Sequence, residues 1–283
     1  MTGPPILVGV DGSAPSLAAV DLAIREATLR ERAVRIVFGD VWANHPAWAN
    51  NNPAGELAAG LLSEPQQAIR DAIDRAVTEQ VPVTGEVLAG DPAAVLIRES
   101  AHTDLLILGH RGRGGFPELL LGSVAIKVAA HAICPVMITR GALRAGGDIL
   151  VGMDGSAADD APLGFAFHEA ALRGADLRAL HAWNRPQLSD ADLLLRYDTG
   201  PEDTAHAQKL TEAALSWSRK YPTVTMYREL TTHRAADAIV AAASSAQLVV
   251  LGARGHAQLP GRRLGSVSHA VLHHAACPVA VVR

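Results

Sequence analysis

The feature that most constrains this chain is an internal repeat. The segment ILVGVDGS at residues 6–13 returns as ILVGMDGS at residues 149–156, an offset of 143 residues (149 minus 6). The same offset carries the tripeptide CPV at 134–136 onto a second CPV at 277–279. Different motifs that recur at one offset indicate two copies of the same domain in tandem.

The length supports this division, because 283 residues are enough for two ordinary domains with complete cores. We predict a first domain over 1–140, a Gly-containing linker over 141–147 and a second domain over 148–283. The segment 42–60, rich in Asn, Ala and Pro, has no clear pattern. It is either a flap over a site in the first domain or a long connection.

Each half alternates short apolar runs with longer helical patterns. This alternation predicts an α/β fold, with a parallel sheet covered by helices on both faces. The run LLIL at 105–108 and its counterpart LVVL at 248–251 are apolar without alternation, as expected of central parallel strands. In the first half we predict strands over 5–10, 34–41, 83–88, 104–109 and 135–139, and helices over 15–31, 62–80, 91–101 and 122–132.

Composition excludes several classes of protein. The formal net charge of −4 does not match the basic surface of a nucleic-acid-binding protein. The apolar runs are far shorter than the roughly 18 residues of a membrane-spanning helix. Cys134 and Cys277 suit a reducing compartment, and each is expected to be a small buried hydrophobe at a strand start. We therefore expect a cytoplasmic protein that binds neither nucleic acid nor membrane.

A glycine motif follows the fourth predicted strand of each half. Both copies read G-x2-G-x9-G-S, at 109–123 and 252–266. Glycine lets backbone N–H groups approach an anion, and the Gly-Ser pair begins a predicted helix, where unpaired N–H groups favour phosphate. Ligands of doubly wound sheets bind beyond the carboxyl ends of the strands. The motif indicates either a phosphate site or a tight turn with a helix cap, and its repetition favours the phosphate site.

Other sites find less support in the sequence. Neither G-x4-G-K-[ST] nor G-x-G-x-x-G directly after the first strand occurs, so P-loop and Rossmann dehydrogenase sites are not indicated. No set of nucleophile, base and orienting group can be assembled, and we predict no catalytic residue. His269 and His273 have a metal-compatible spacing without an acidic or cysteine partner nearby, so metal ligands stay unassigned.

The chain resembles the ATP-binding branch of the universal stress protein family over almost its full length. The resemblance lies in both glycine motifs, in the VG-x-DGS segments at 8–13 and 151–156 and in the two CPV tripeptides. It implies two tandem doubly wound domains of the adenine nucleotide alpha hydrolase-like fold, each a five-stranded parallel sheet of order 3-2-1-4-5. It also implies one ATP per domain, with or without Mg²⁺.

The resemblance also assigns the nucleotide contacts. Triphosphate is expected on the glycine loop and the Gly-Ser pair, the end of the first strand is expected to contribute, and backbone groups near Val41 and Ala182 are expected to contact adenine. The expected residues of the first domain are Gly9, Val10, Asp11, Val41, Gly109, His110, Arg111, Gly112, Arg113, Gly114, Gly115, Gly122, Ser123 and Val124. Those of the second are Gly152, Met153, Asp154, Ala182, Gly252, Ala253, Arg254, Gly255, His256, Arg262, Gly265, Ser266 and Val267.

The charged residues among these have alternative roles. A carboxylate at Asp11 or Asp154 would repel a triphosphate unless it bound Mg²⁺ or a ribose hydroxyl, and the alternative is that it caps the first helix. Arginines such as Arg113 and Arg262 either pair with phosphate or face water. Glu118 would oppose ATP if it pointed inward. We therefore expect the two sites to differ in affinity.

These observations predict a nucleotide-dependent stress-response regulator that binds ATP and a protein partner of unknown identity. Two alternatives stay open. One is an interaction module with vestigial nucleotide sites, and the other is a slow ATPase. A homodimer of chains is compatible with the sequence but is not required by it.

Overall fold

The computed structural model describes residues 3–43, 55–77, 81–113, 120–182, 214–254 and 264–283, and for 55–62 and 157 it describes the backbone alone. The chain divides into two compact units, Met1–Leu143 and Arg144–Arg283. No helix in these described ranges is long and apolar enough to cross a membrane.

The first unit is built on a parallel sheet with the order β3-β2-β1-β4-β5. The central strands β1 and β4 are apolar and buried, as predicted, because helices cover both faces. In the register, Ile6 pairs with Val34 of β2 and with Leu105 of β4. The strands are β1 (Ile6–Gly9), β2 (Val34–Asp40), β3 (Val83–Ala89), β4 (Leu105–Gly109) and β5 (Val136–Thr139).

Helices of the first unit begin where the sequence supplies caps. The hydroxyl of Ser13 accepts a hydrogen bond from the N–H of Ser16, and the carboxylate of Asp91 accepts one from Ala94. The first two helices contact each other, as do the last two, so the helices form one pair on each face of the sheet. They are α1 (Ala14–Arg30), α2 (Gly55–Ala76), α3 (Pro92–Glu99) and α4 (Ser123–His131), with a short 3-10 turn at Ser100–His102.

The second unit repeats this arrangement with the order β8-β7-β6-β9-β10. Its strands are β6 (Ile149–Met153), β7 (Leu177–Ala182), β8 (Met226–Thr231), β9 (Leu248–Gly252) and β10 (Val279–Val282). Its described helices are α5 (Asp160–Arg173), α6 (214–220), α7 (Ala235–Ala242) and α8 (Ser266–His274), and a 3-10 turn at Ala157–Asp159 precedes α5. The predicted α/β class and the strand order 3-2-1-4-5 are confirmed in both units.

The start of the second helix was predicted wrongly. It was expected at residue 62, but α2 begins at Gly55, inside the segment whose role the sequence left open. Ala68, Ile69 and Ala72 form its buried face, which packs on the edge of the sheet. A Cβ at Gly85 of β3 would lie 2.6 Å from Ile69 Cγ2, so the glycine lets the helix approach. Because the segment 42–60 has no clear sequence pattern, the first turns of α2 were not predicted.

Cys134 and Cys277 are free and buried, as predicted. Burial raises the pKa of each thiol to about 12. Both sulfur atoms therefore stay protonated at neutral pH and behave as small apolar groups in the core.

Candidate functional site

The candidate site of each unit lies where the order of the strands reverses. In the first unit β1 has β2 on one side and β4 on the other, and Gly9 at its end pairs with Leu108. The loops after β1 and β4 therefore leave the sheet side by side. This edge is the position at which doubly wound sheets bind ligands.

Asp11 connects these two loops in the first unit. Its Oδ2 atom accepts a 2.8 Å hydrogen bond from the backbone N–H of Arg113, and its Oδ1 atom accepts bonds of 2.6 and 3.0 Å from the hydroxyl and N–H of Ser13. A Cβ on Gly112 would lie 2.2 Å from Asp11 Oδ2. Glycine at 112 thus allows the carboxylate to reach the loop, and the structure brings Asp11, Gly112 and Arg113 together.

The expected alternative role of Asp11 as a helix cap is not what the structure shows. Ser13 is the N-cap of α1, and Asp11 instead holds the Ser13 side chain in place. The side chain of Arg113 is 53% exposed, as in the alternative in which it faces water, and its guanidinium also forms an ion pair with Glu64 of α2. Glu64 was not singled out in the sequence, because the two partners are 49 positions apart and no local pattern links them.

The Gly-Ser pair that ends the first glycine motif contacts the residues at the start of the motif. The N–H of Gly122 donates a 2.7 Å hydrogen bond to the carbonyl oxygen of His110, and a Cβ on Gly122 would lie 3.4 Å from Arg111 Cα. Gly122 is the N-cap of α4 and has no side chain to accept from the N–H groups of the first turn. Ser123 and Val124 begin that turn, so α4 directs its positive end at this edge.

His110 contributes little positive charge to the edge. Burial lowers the pKa of its imidazole, and the nearby charges of Arg140 and Arg111 lower it further, against a raising contribution from a backbone hydrogen bond with Thr139. The ring is therefore mainly neutral at pH 7. Arg140 itself donates a hydrogen bond to the carbonyl oxygen of Leu120, which ties the end of β5 to the start of α4.

A cavity of about 190 Å³ occupies the corresponding edge of the second unit. It is lined by the ends of β6, β7 and β9 and by the start of α8, so the structure brings together residues from separate parts of the sequence. The predicted residues in its lining are Gly152, Met153, Asp154, Ala182, Gly252, Arg254, Gly265, Ser266 and Val267. Ala253 is buried beside them, and Gly265 N–H donates to its carbonyl oxygen at 2.8 Å, as Gly122 does to His110 in the first unit.

The sequence did not identify the remaining lining residues. Ile239 and Leu251 form an apolar wall, and the hydroxyl of Ser268 donates a 2.7 Å hydrogen bond to the carbonyl oxygen of Gly252. Asp159 lies on another wall with 8% of its surface exposed. Two sequence signals could have identified the polar residues among them. Ser268 is a polar residue on the buried face of α8, and Asp159 is a carboxylate at the repeat position where the first half has Ser16. Ala235 completes the lining.

The expected adenine contacts lie at the ends of the second strands. Ala182 is the last residue of β7 and lines the cavity. In the first unit Val41 follows β2 and is 55% exposed, beside Trp42, whose N–H donates to the carboxylate of Asp40 at 2.8 Å. Both positions therefore lie at the carboxyl edge of their sheet, and Ala182 lines the same cavity as the second glycine motif.

Several expected residues lie outside the described part of the chain. They are Gly114, Gly115 and Glu118 of the first motif, and Gly255, His256 and Arg262 of the second. Within the described ranges no group of three or more His, Cys, Asp and Glu side chains has the geometry to hold a metal ion. The rings of His269 and His273 lie 4.6 Å apart, and no third ligand joins them among the residues described.

Fold and edge geometry define a tandem doubly wound α/β protein with a glycine-lined edge in each unit. The profile of the universal stress protein family matches residues 4–140 and again residues 147–283. The chain therefore belongs to the universal stress protein family, with two copies of its domain.

Known proteins of similar length agree with this assignment. A universal stress protein of Mycobacterium tuberculosis is 33% identical over 303 aligned residues, which cover 98% of this chain and 94% of that protein. One of Mycolicibacterium smegmatis is 34% identical, with coverage of 98% and 96%. The crystal structure of a universal stress protein from Archaeoglobus fulgidus matches with a TM-score of 0.71 over 98% of this chain and 95% of that one, and its 18% identity supports the fold alone.

Proposed function

We propose that this protein is an ATP-binding universal stress protein with one ATP site in each domain. In this proposal the bound nucleotide controls the protein's interaction with a partner in the stress response. The observation that carries it is the cavity of the second unit, where both ends of the glycine motif, the end of β6 and Ala182 converge. The domain bounds 1–140 and 148–283 are part of the proposal.

The phosphate end of the proposed site consists of backbone N–H groups. Gly122 and Gly265 are the N-caps of α4 and α8, and neither supplies a capping side chain. The N–H groups in the first turn of each helix can therefore donate to a phosphate, which the positive end of the helix dipole also attracts. The hydroxyls of Ser123 and Ser266 begin the same turns and add a further donor.

The base end of the site is apolar. Ile239 and Leu251 offer a surface for a planar base beside Ala182. The cavity of about 190 Å³ is smaller than the roughly 300 Å³ of the smallest common ligand pockets, so the described lining accounts for one part of ATP rather than the whole nucleotide.

Mg²⁺ fits this site only together with the nucleotide. Asp154 lines the cavity and offers carboxylate oxygens, which Mg²⁺ prefers, but the described residues supply no complete metal cage. Mg²⁺ in phosphate sites is commonly held by one or two carboxylates together with phosphate oxygens. When bound, the ion would neutralise phosphate charge next to Asp154.

The proposed role is regulatory, with hydrolysis at most slow. The buried, protonated thiols offer no activated nucleophile, and the second unit has Ala253 at the repeat position of His110. The proposal places the protein in the cytoplasm, in keeping with its two reduced cysteines. Its protein partner and a homodimer of chains are left to direct binding measurements.

Calorimetric titration with ATP and Mg²⁺ tests the proposal on protein stripped of nucleotide. Gly122→Glu and Gly265→Glu each place a carboxylate at one proposed phosphate site. A Cβ at position 122 would meet nothing closer than 3.4 Å, so the first variant should fold. We expect about two ATP per wild-type chain and one per chain in each variant.

Gly146→Glu is the matched control, because it adds the same charge where a Cβ would contact nothing within 4 Å. It should leave both sites intact. Wild-type protein that binds no ATP would overturn the proposal and favour the interaction module with vestigial sites.

A further inference from the structure

We infer that Asp159 makes ATP binding by the second domain depend on a divalent cation more strongly than binding by the first domain does. The inference rests on the proposed function of these sites. It assigns a specificity-determining role to a residue outside the glycine motif and concerns a difference between the two halves of this chain.

The internal repeat identifies the residue that differs. Asp159 stands at the position of Ser16, at the repeat offset (159 minus 16 is 143). In the first unit the neutral Ser16 hydroxyl donates to the carbonyl oxygen of Ser13 at 2.8 Å and accepts from the N–H of Asp11 at 3.4 Å. The corresponding connection in the second unit is made by a carboxylate.

That carboxylate holds the loop after β6. Asp159 Oδ2 accepts hydrogen bonds from the N–H of Asp154 at 3.1 Å and of Gly155 at 2.7 Å. Two N–H groups at the end of the first strand of this unit therefore bind the protein's own anion. Asp159 also lies at the start of α5, where the helix dipole stabilises negative charge, so its charged form is well supported.

The same residue lines the proposed nucleotide site. Asp159 and Asp154 both line the cavity, and Arg254 is the basic residue in its described lining. Because Asp159 is only 8% exposed, water screens its charge poorly, and its repulsion of a polyphosphate is stronger than at the surface. A divalent cation bound with the phosphates would offset this repulsion.

The test measures ATP affinity with and without divalent cation at one site at a time. In Gly122→Glu protein, which isolates the second site, chelating Mg²⁺ with EDTA should weaken ATP binding at least about tenfold more than it does at the first site in Gly265→Glu protein. Adenosine, which carries no phosphate, should bind equally with and without Mg²⁺.

Two substitutions at Asp159 separate charge from structure. Asp159→Asn keeps an oxygen that can accept from Asp154 and Gly155, and Asp159→Ser recreates the residue of the first unit. Both should reduce the cation dependence of the second site to that of the first, and Ser16→Asp should raise it at the first site. Asp160→Ser is the control, because it removes the same charge from an exposed neighbour that is absent from the cavity lining.

Cation dependence that stays unchanged in both Asp159 variants would overturn the inference while leaving ATP binding in place. Wild-type protein that binds neither ATP nor adenosine would overturn the proposed function, and the inference would fail with it. If circular dichroism shows that the Asp159 variants do not fold, the Ser16→Asp variant alone decides. Unchanged cation dependence of the first site in that variant would overturn the inference.

Discussion

The carboxylate of Asp11 and the backbone N–H of Arg113 are joined by a 2.8 Å hydrogen bond that spans 102 residues of sequence. The same carboxylate accepts two bonds from Ser13, the residue that caps α1. One side chain therefore connects the end of β1, the start of α1 and the glycine loop. The protein's own side chain therefore helps to shape the edge proposed to bind phosphate.

Asp11→Ala should destabilise the first unit. It removes the acceptor of three hydrogen bonds, so we expect the free energy of unfolding to fall by about 1–3 kcal/mol, as measured by urea denaturation. Asp11→Asn keeps an oxygen that can accept from the N–H of Arg113 and should lose less. Equal losses in the two variants would show that the hydrogen bonds do not stabilise this edge.

Gly112→Ala should weaken the first ATP site, whereas Gly122→Ala should change it little. A Cβ at 112 would lie 2.2 Å from Asp11 Oδ2 and displace that carboxylate, whereas a Cβ at 122 meets nothing closer than 3.4 Å. In Gly265→Glu protein, calorimetry should show roughly a tenfold loss of ATP affinity for the first substitution, equivalent to one hydrogen bond of about 1.4 kcal/mol. The same affinity in both variants would contradict the prediction.

Glu99→Gln should destabilise the protein at pH 7, and this effect should fade as the pH is lowered into the acid range. The hydrogen bond from Arg35 lowers the pKa of Glu99, against the raising effect of burial. A carboxyl whose folded-state pKa is lowered adds stability above its unfolded pKa, and this stability is lost as pH falls through the folded-state pKa. Urea denaturation should show a difference on the order of 1 kcal/mol at pH 7 that shrinks toward zero in acid.

Neither cysteine should react with a thiol reagent in the native protein at pH 8. Burial raises the pKa of Cys134 and Cys277 to about 12, so almost no thiolate is present and neither sulfur is accessible. A colorimetric disulfide reagent should label two thiols per chain in guanidinium chloride and essentially none without it. Rapid labelling of the folded protein would contradict the burial of these residues.

The repeated motifs and apolar runs by themselves predicted two α/β units, because periodic apolar runs and recurring spacings are local signals, whereas the strand order 3-2-1-4-5 was implied by the resemblance to the universal stress protein family. They also located the residues that line the cavity of the second unit, such as Gly152 and Gly265, since a doubly wound sheet aligns the ends of its parallel strands. The sequence alone therefore predicted most of the positions at which strands end and helices begin.

The tertiary structure alone decided the contacts between distant segments. Three such contacts depend on how the helices and loops pack on the sheet. They are the ion pair of Arg113 with Glu64, the hydrogen bond of Asp11 to the glycine loop and the position of Asp159 in the cavity wall. Short-range patterns carry no information about such pairs, because the two partners become neighbours only when the chain packs. The glycines of each proposed site could therefore be identified from the sequence alone. Which charged side chains lie beside those glycines was decided only by the tertiary structure.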